Sequence, residues 1–440
     1  MAHALGHSPF MNAPGPRKAP RLLAADPLFS RTGSGLLARL PASYFHRLLD
    51  RIDEGLESGS LEGHLPDGSV RILGGRKDGP ACIVHLHSWR ALVRLGLSGS
   101  VGWYRAWAKR EWESPDPVPL FALFMANRTS LGGSARASGL PRLLIRLWHR
   151  LNGNSRQGAR RNIAYHYDLG NAFYALWLDP GMTYSSALYA AQGMTLEEAQ
   201  DAKIDRLLDR LALAPGERLL EIGCGWGSLA LRAAERCPGI VYDGLTLSSE
   251  QKALADQRID RAGLGDNLAI HLADYRDHDG NHATGGTYDA IASVEMVEAI
   301  GEKQWPEYLA AIHHLLRPGG KAAIQFISID DAIFDSYAAS ADFIQAYIFP
   351  GGCLIAPKRF RALAEALGFA WRDETRMGHD YAHTLLEWRE RFDAAIDRGA
   401  LPSDYDEQFV RLWRYYLMYC EGGFRGGGID VHQVTLVRAG

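Results

Sequence analysis

The chain is poor in cysteine. Its five cysteines (Cys82, Cys224, Cys237, Cys353 and Cys420) lie far apart, are odd in number and form no C-x-x-C pair. That excludes a disulfide scaffold or a thiolate zinc centre and favours a reducing compartment; no metal site is expected. No apolar run reaches the ~18 residues needed to span a bilayer, and the N-terminus lacks the continuous apolar core of a signal peptide. Internal repeats are missing as well. A soluble intracellular, cytoplasmic protein is expected. The first residues are rich in Pro, Gly, Ala and basic side chains, so 1–35 is expected to be disordered or weakly ordered.

Acidic residues are missing from one long window. Between Pro117 and Tyr167 there is no Asp or Glu, yet eight arginines occur: Arg128, Arg136, Arg142, Arg146, Arg150, Arg156, Arg160 and Arg161. Within it, Leu140, Leu144, Leu147, Trp148 and Leu151 share one helical face, and Arg142, Arg146 and Arg150 repeat at i+4 on another. A basic amphipathic helix of this kind suits an anionic membrane surface, so segment 136–161 is expected to touch one. The alternative is a helix docked on its neighbour through the leucines. Nucleic acid is not expected, because no binding motif accompanies the arginines.

What is present is ordinary globular composition: 440 residues, 47% hydrophobic, 22% charged and a formal net charge of -3, enough for two domains. Residues 36–130 read as a small α+β domain, with a hairpin signal around Pro66-Asp67-Gly68 and a strand at "ACIVHLHS". Residues 131–163 form the basic connector. From 164 to 440, strands are expected at 218–223, 240–246, 268–274, 288–294, 321–328 and 431–438. Helices are expected at 227–236, 248–262, 303–316, 358–367 and 404–420. That alternation implies a parallel sheet covered on both faces, with ligands at its carboxyl edge. The apolar, aromatic stretch 329–357 interrupts the pattern and reads as a lid or substrate-binding insertion.

The most informative motif is "LLEIGCGWGSLA" (219–230). A buried strand ends in Glu221, then Gly223, Gly225 and Gly227 alternate, and a helix starts. Such glycines let backbone approach a ligand, and the helix start offers free amides. The spacing differs from the G-x-G-x-x-G that cradles a pyrophosphate. It suits a nucleoside carrying a carboxylate, which points to S-adenosylmethionine (SAM).

Several further motifs occur in order: "YHYDLGNAFYALWLDPGMTYSSALY" (165–189), "GLTLSSEQ" (244–251), "ADYRD" (273–277), "SVEMVEAIG" (293–301) and "DFIQAYIFPGGCL" (342–354). With the glycine turn, they make the chain resemble the cyclopropane-fatty-acyl-phospholipid synthases and their mycolic acid relatives over residues 36–440. The resemblance implies an α/β, Rossmann-like seven-stranded SAM methyltransferase fold with a smaller N-terminal α+β lipid-facing domain. It also implies methyl transfer to a cis double bond of an unsaturated phospholipid acyl chain, giving a cyclopropane fatty acid, at the inner face of a membrane.

The residues carry over as follows. Tyr184, Ser185, Glu221, Gly223, Gly225, Gly227, Thr246, Leu247 and Gln251 match the cofactor site, and Asp274 and Tyr275 fall where adenine sits. Glu298 matches the acidic residue that would take a proton from the added methyl as the ring closes. Family members are similar in binding bicarbonate as proton acceptor through a Glu, a His, a Tyr and backbone amides; Glu298, Tyr347 and Ile327 match three of these positions. Two positions depart: Ser186 stands for a frequent Cys, and Gln325 for the His. Neither supplies positive charge, so bicarbonate is a weaker expectation and a methylene or methyl-branched product stays open. The motifs "EMVEA" and "QFIS" resemble a subgroup that includes plant-type synthases. Tyr184, Tyr347 and Phe349 are candidates for stabilising a carbocation through their π faces. His166 and Cys353 read as structural. A homodimer is left open, as is a SAM methyltransferase for a soluble small molecule.

Overall fold

A computed structural model describes residues 42–132, 169–279, 287–339 and 342–440. The arginine-rich segment 136–161, the N-terminal residues 1–35 and His166 lie outside the described residues.

The N-terminal module begins with the helix Ala42–Gly55, whose apolar face carries Phe45, Leu49 and Ile52. Strands β1 (Ser60–His64) and β2 (Val70–Gly74) form the antiparallel hairpin expected around Pro66-Asp67-Gly68. Strand β3 (Ala81–Leu86) runs parallel to β1, and the short β4 (Trp112–Glu113) closes the sheet in the order β2-β1-β3-β4. Two helices, Arg90–Ala108 and Val118–Ala126, complete the module. The first is broken at Gly99, whose φ of 56° lies outside helical space.

The second body is a seven-stranded sheet. Its strands are β5 (Arg218–Ile222), β6 (Val241–Thr246), β7 (Leu268–Leu272), β8 (Tyr288–Val294), β9 (Leu316–Ile329), β10 (Phe369–Arg376) and β11 (Ile429–Arg438), in the order β10-β11-β9-β8-β5-β6-β7. Near-continuous burial along β5, β8 and β9 is what a sheet covered on both faces demands. Six of these strands match the spans expected from the sequence. β10 was missed because "FAWRDETR" exposes half its residues and shows no clean alternation. The expected parallel sheet holds for β9, β8, β5, β6 and β7 and needs correction only at the other edge, where β11 slots between β9 and β10 and pairs antiparallel with both. Two helices were missed as well, Leu196–Leu211 and Gly378–Asp397. The former starts at a capping box in which Thr195 accepts from the Glu198 N–H.

The two bodies share one apolar core. Helix Glu407–Arg425 packs against Val118–Ala126, close enough that a Cβ on Gly422 would sit 2.4 Å from Phe121 Cβ. Tyr104 lies edge-on to Tyr347 at 4.6 Å and to Tyr415 at 5.1 Å. Aromatic pairs of this kind add ~0.5–1.5 kcal/mol each beyond burial, so the N-terminal module is welded to the sheet body rather than tethered to it.

Candidate active site

The strand order reverses between β5 and β8, and the crevice of such a sheet opens there. The glycine turn after β5 fills that place. Gly223, Gly225 and Gly227 have φ of 88°, 53° and 82°, a region costly for any residue with a Cβ. A Cβ on Gly223 would also meet Met296 Cγ at 2.9 Å, whereas one on Gly225 would meet nothing within 4 Å and would point into open space. One glycine is therefore needed for packing, and the other leaves room.

That room belongs to a cavity of about 550 Å³ lined by both bodies. One end is walled by the glycine turn, Tyr184, Ser185, Glu221, Thr246, Leu247, Gln251, Asp274 and Tyr275. These are the positions matched to the cofactor, and the fold brings them together. Thr246 Oγ1 donates to Gln251 Oε1 at 2.8 Å, fixing both side chains. Asp274 is held by Arg276 through two bonds of 2.9 and 2.6 Å, so its charge is already matched. Tyr275 is buried with its ring edge against Tyr308. The Glu221 carboxylate accepts from the Tyr242 hydroxyl; burial pushes its pKa up to about 7.

The other end is apolar. Leu95, Trp103, Phe121, Phe124 and Met125 come from the N-terminal module, Ile333, Ile344 and Phe349 from the insertion, and Tyr416 and Phe424 from helix 407–425. The insertion, expected as a lid or binding element, forms helices Asp331–Ala338 and Phe343–Tyr347 and walls the cavity. Cys353 is buried there; its N–H donates to the Glu298 carbonyl at 2.8 Å.

Between the two ends stands Glu298, on a single helical turn after β8. One carboxylate oxygen accepts from the Ile327 N–H at the end of β9. The other, Oε2, is buried without a hydrogen-bond partner, and the side chain lines the cavity. Burial first, and the neighbouring Glu295 carboxylate second, raise its pKa to about 8. A desolvated carboxylate with a free lone pair facing an apolar space is equipped to accept a proton.

Three residues matched to the catalytic centre sit elsewhere. Tyr347 does not line the cavity; its hydroxyl accepts from Arg105 Nε at 3.1 Å and its ring stacks on Phe343. The Ser186 hydroxyl donates to the Ala187 carbonyl at 3.0 Å, and its backbone N–H donates to Glu295. Gln325 is fully buried behind the wall, its amide oxygen accepting from Gln433 Nε2 at 2.9 Å. Tyr184 and Phe349 do line the cavity.

Two functional candidates escaped the sequence reading. Glu295 Oε1 accepts from the Ser186 N–H (2.9 Å) and Gln325 Nε2 (2.8 Å), and its Oε2 accepts from the Tyr381 hydroxyl (3.0 Å). Lys203 is 1% exposed, donates to Ser185 Oγ at 2.7 Å and faces the charges of Glu295, Asp179 and Glu221. Burial lowers its pKa to about 8. The second acid in "EMVEA" was the only visible signal for Glu295. Lys203 sits inside an ordinary amphipathic helix, where nothing marks it.

These contacts decide whether a bicarbonate ion fits. Three of its expected donors are occupied, since the Ser186 N–H and Gln325 amide serve Glu295 and the Ile327 N–H serves Glu298, and the fourth, Tyr347, does not line the cavity. The residues present do not fit it.

Comparison with known proteins identifies the family. A family model described as "Mycolic acid cyclopropane synthetase" matches residues 154–434. The chain belongs to that family. It is 38% identical, over 94% of this chain and 95% of the relative, to the tuberculostearic acid methyltransferase UfaA1 of Mycobacterium tuberculosis. It is also 38% identical to the cyclopropane-fatty-acyl-phospholipid synthase of Escherichia coli K12, over 62% of this chain and 66% of the relative. Among solved structures, mycolic acid cyclopropane synthase CmaA1 complexed with SAH and CTAB has a TM-score of 0.58 at 30% identity, covering 63% of this chain and 98% of that one. The chain is thus a SAM-dependent methyltransferase of the cyclopropane synthase fold, and the cavity end built on the glycine turn fits that cofactor.

Proposed function

We propose that this enzyme methylates a cis double bond within a phospholipid acyl chain, with Glu298 as the proton acceptor. The observation that carries the reading is the unpartnered Oε2 of Glu298 in the middle of a cavity that is polar at the glycine turn and apolar beyond it. The side chains of that wall, mainly apolar with Arg128 and Asp342 as its charged members, suit an acyl chain better than a soluble polar substrate.

SAM supplies an electrophilic methyl group on a sulfonium. The walls fix the geometry: the glycine turn and Thr246–Gln251 hold one reactant, and the apolar end lays the acyl chain across Glu298. As the alkene π electrons form the new C–C bond, the methyl C–S bond breaks and positive charge appears on the chain. Glu298 Oε2 then takes a proton from the added methyl group, and the released C–H electron pair closes the ring. Among the charged side chains at the cavity, Arg276 pairs with Asp274 and Arg128 with Asp330, while Glu221, Glu295, Glu298 and Asp342, once ionised, outnumber Lys203. The negative surplus favours a cationic reactant and a cationic transition state. Tyr184 and Phe349, with ring centroids 6.5 Å apart, add π faces.

A second product has its own support. End-to-end similarity to a tuberculostearic acid methyltransferase, N-terminal module included, favours loss of a proton that leaves a methylene as this enzyme's own product. The arginine-rich, acid-free segment 136–161 supports a reading in which the site is delivered to an anionic membrane from its cytoplasmic face. Among the described residues no helix is long and apolar enough to cross a membrane. The test is incubation of the purified enzyme with SAM and vesicles of a cis-monounsaturated phospholipid, followed by lipid mass spectrometry. A gain of one CH2 is expected, with resistance to mild hydrogenation marking a ring and sensitivity a methylene. Unchanged lipid alongside methylation of a soluble acceptor overturns the reading.

A further inference from the structure

The donor set around Glu295 has a consequence for what the reaction needs. Three donors from three separate elements converge on its carboxylate: the Ser186 N–H from the strap before helix 196–211, Gln325 Nε2 from β9, and the Tyr381 hydroxyl from helix 378–397. The amide orientation of Gln325 is fixed from behind by Gln433. Lys203 supplies the nearby positive charge. Without the Glu295 side chain, the same groups would be a ready-made cradle for a small planar anion. With it, the cradle is full.

The backbone of Glu295 supports this assignment. Its φ is 50°, a left-handed conformation suited to glycine and costly for a residue with a Cβ. A long charged side chain at such a position, buried and fully hydrogen-bonded, is retained where the surroundings use it. The neighbouring Glu298 touches none of these three donors, taking its bond from Ile327 instead. Two carboxylates therefore face the cavity with separate supports: one saturated with donors, one with a free oxygen.

We propose that Glu295 is a resident anion: a carboxylate built into the chain at the place of a bicarbonate ion, so that this enzyme methylates lipid without added anion. Glu295 is a positioning and charge-supplying residue. It holds the Ser186 strap and β9 around the reacting alkene and keeps a fixed negative charge beside Glu298, which remains the proton acceptor. The inference rests on the proposed lipid methylation.

The test compares wild type, Glu295→Gly and Glu295→Gln in CO2-stripped buffer, with and without bicarbonate or formate. Wild-type turnover should not change on adding bicarbonate. Glu295→Gly, relaxed at this φ, should lose about 100-fold or more in turnover and regain at least about tenfold with either anion, while SAH affinity stays at the wild-type value. Should Glu295→Gly fail to fold, Glu295→Gln carries the test. With one negative charge removed from beside Glu298, the acidic limb of its pH–rate profile should move to lower pH, an effect no packing role produces. Bicarbonate dependence of the wild type, a folded glycine variant that neither anion rescues, or a glutamine variant with an unmoved acidic limb overturns the proposal. A wild type that methylates no lipid at all would instead remove the functional reading beneath it.

Discussion

Replacing Glu298 by Gln should make the protein more stable and nearly inactive at once. The carboxylate is buried with one oxygen unpaired, which raises its pKa from 4.5 to about 8. Each pKa unit corresponds to ~1.4 kcal/mol, so holding Glu298 ionised costs the fold about 5 kcal/mol. The sign follows from the raised value. The folded form prefers the protonated acid, so its contribution is intact below about 4.5, the unfolded pKa, and is lost as pH rises through about 8. Gln keeps an acceptor for the Ile327 N–H and never ionises. The melting temperature of Glu298→Gln should therefore exceed that of wild type by an amount that grows with pH over this window, read by scanning calorimetry. Turnover should fall ~10²–10⁴-fold, the usual contribution of a general base, while SAH binding by calorimetry stays unchanged. In wild type, turnover should rise about tenfold per pH unit until about pH 8. Retained turnover in Glu298→Gln, or a stability difference independent of pH, refutes the reasoning.

Other consequences can be checked separately. Gly223→Ala forces a Cβ to 2.9 Å from Met296 Cγ at a φ of 88°; it should weaken SAH binding by about tenfold or more, given ~1–2 kcal/mol for the left-handed conformation alone. Tyr347→Phe removes only the bond from Arg105 and should leave kcat near wild type, whereas a collapse of kcat would return Tyr347 to the site. Met125→Trp narrows the apolar end of the cavity and should shift preference toward shorter acyl chains in a mixed-lipid competition. Removing the charges of Arg142, Arg146 and Arg150 together should weaken sedimentation with anionic vesicles at low salt and matter less at high salt; no change at either would favour a docked helix.

Local signals were legible where chemistry and secondary structure coincide. The glycine turn, Thr246 at the end of β6 and Glu298 after β8 all mark strand ends, and the fold gathers them around one cavity. The apolar insertion was legible from composition, since a stretch so rich in aromatics cannot remain solvated. The orientation of individual side chains was not. Whether Tyr347 points at the alkene or at Arg105 depends on a helix 242 residues earlier in the chain, and no spacing within the motif encodes that. Glu295 was overlooked for a similar reason: its role comes from donors on the 186 strap, β9 and helix 378–397. The antiparallel β11 also follows from long-range pairing, because its apolar run reads the same in either direction.

The most direct test of the central claim uses SAM carrying a fully deuterated methyl group, with vesicles of a cis-monounsaturated phospholipid. If Glu298 removes a proton from the transferred methyl, the lipid product should retain two of the three deuterium atoms, and Glu298→Gln should form almost none of it. Product that keeps all three deuterium atoms would mean that the proton leaves from the chain instead, and unlabelled lipid would mean that the acyl double bond is not the acceptor.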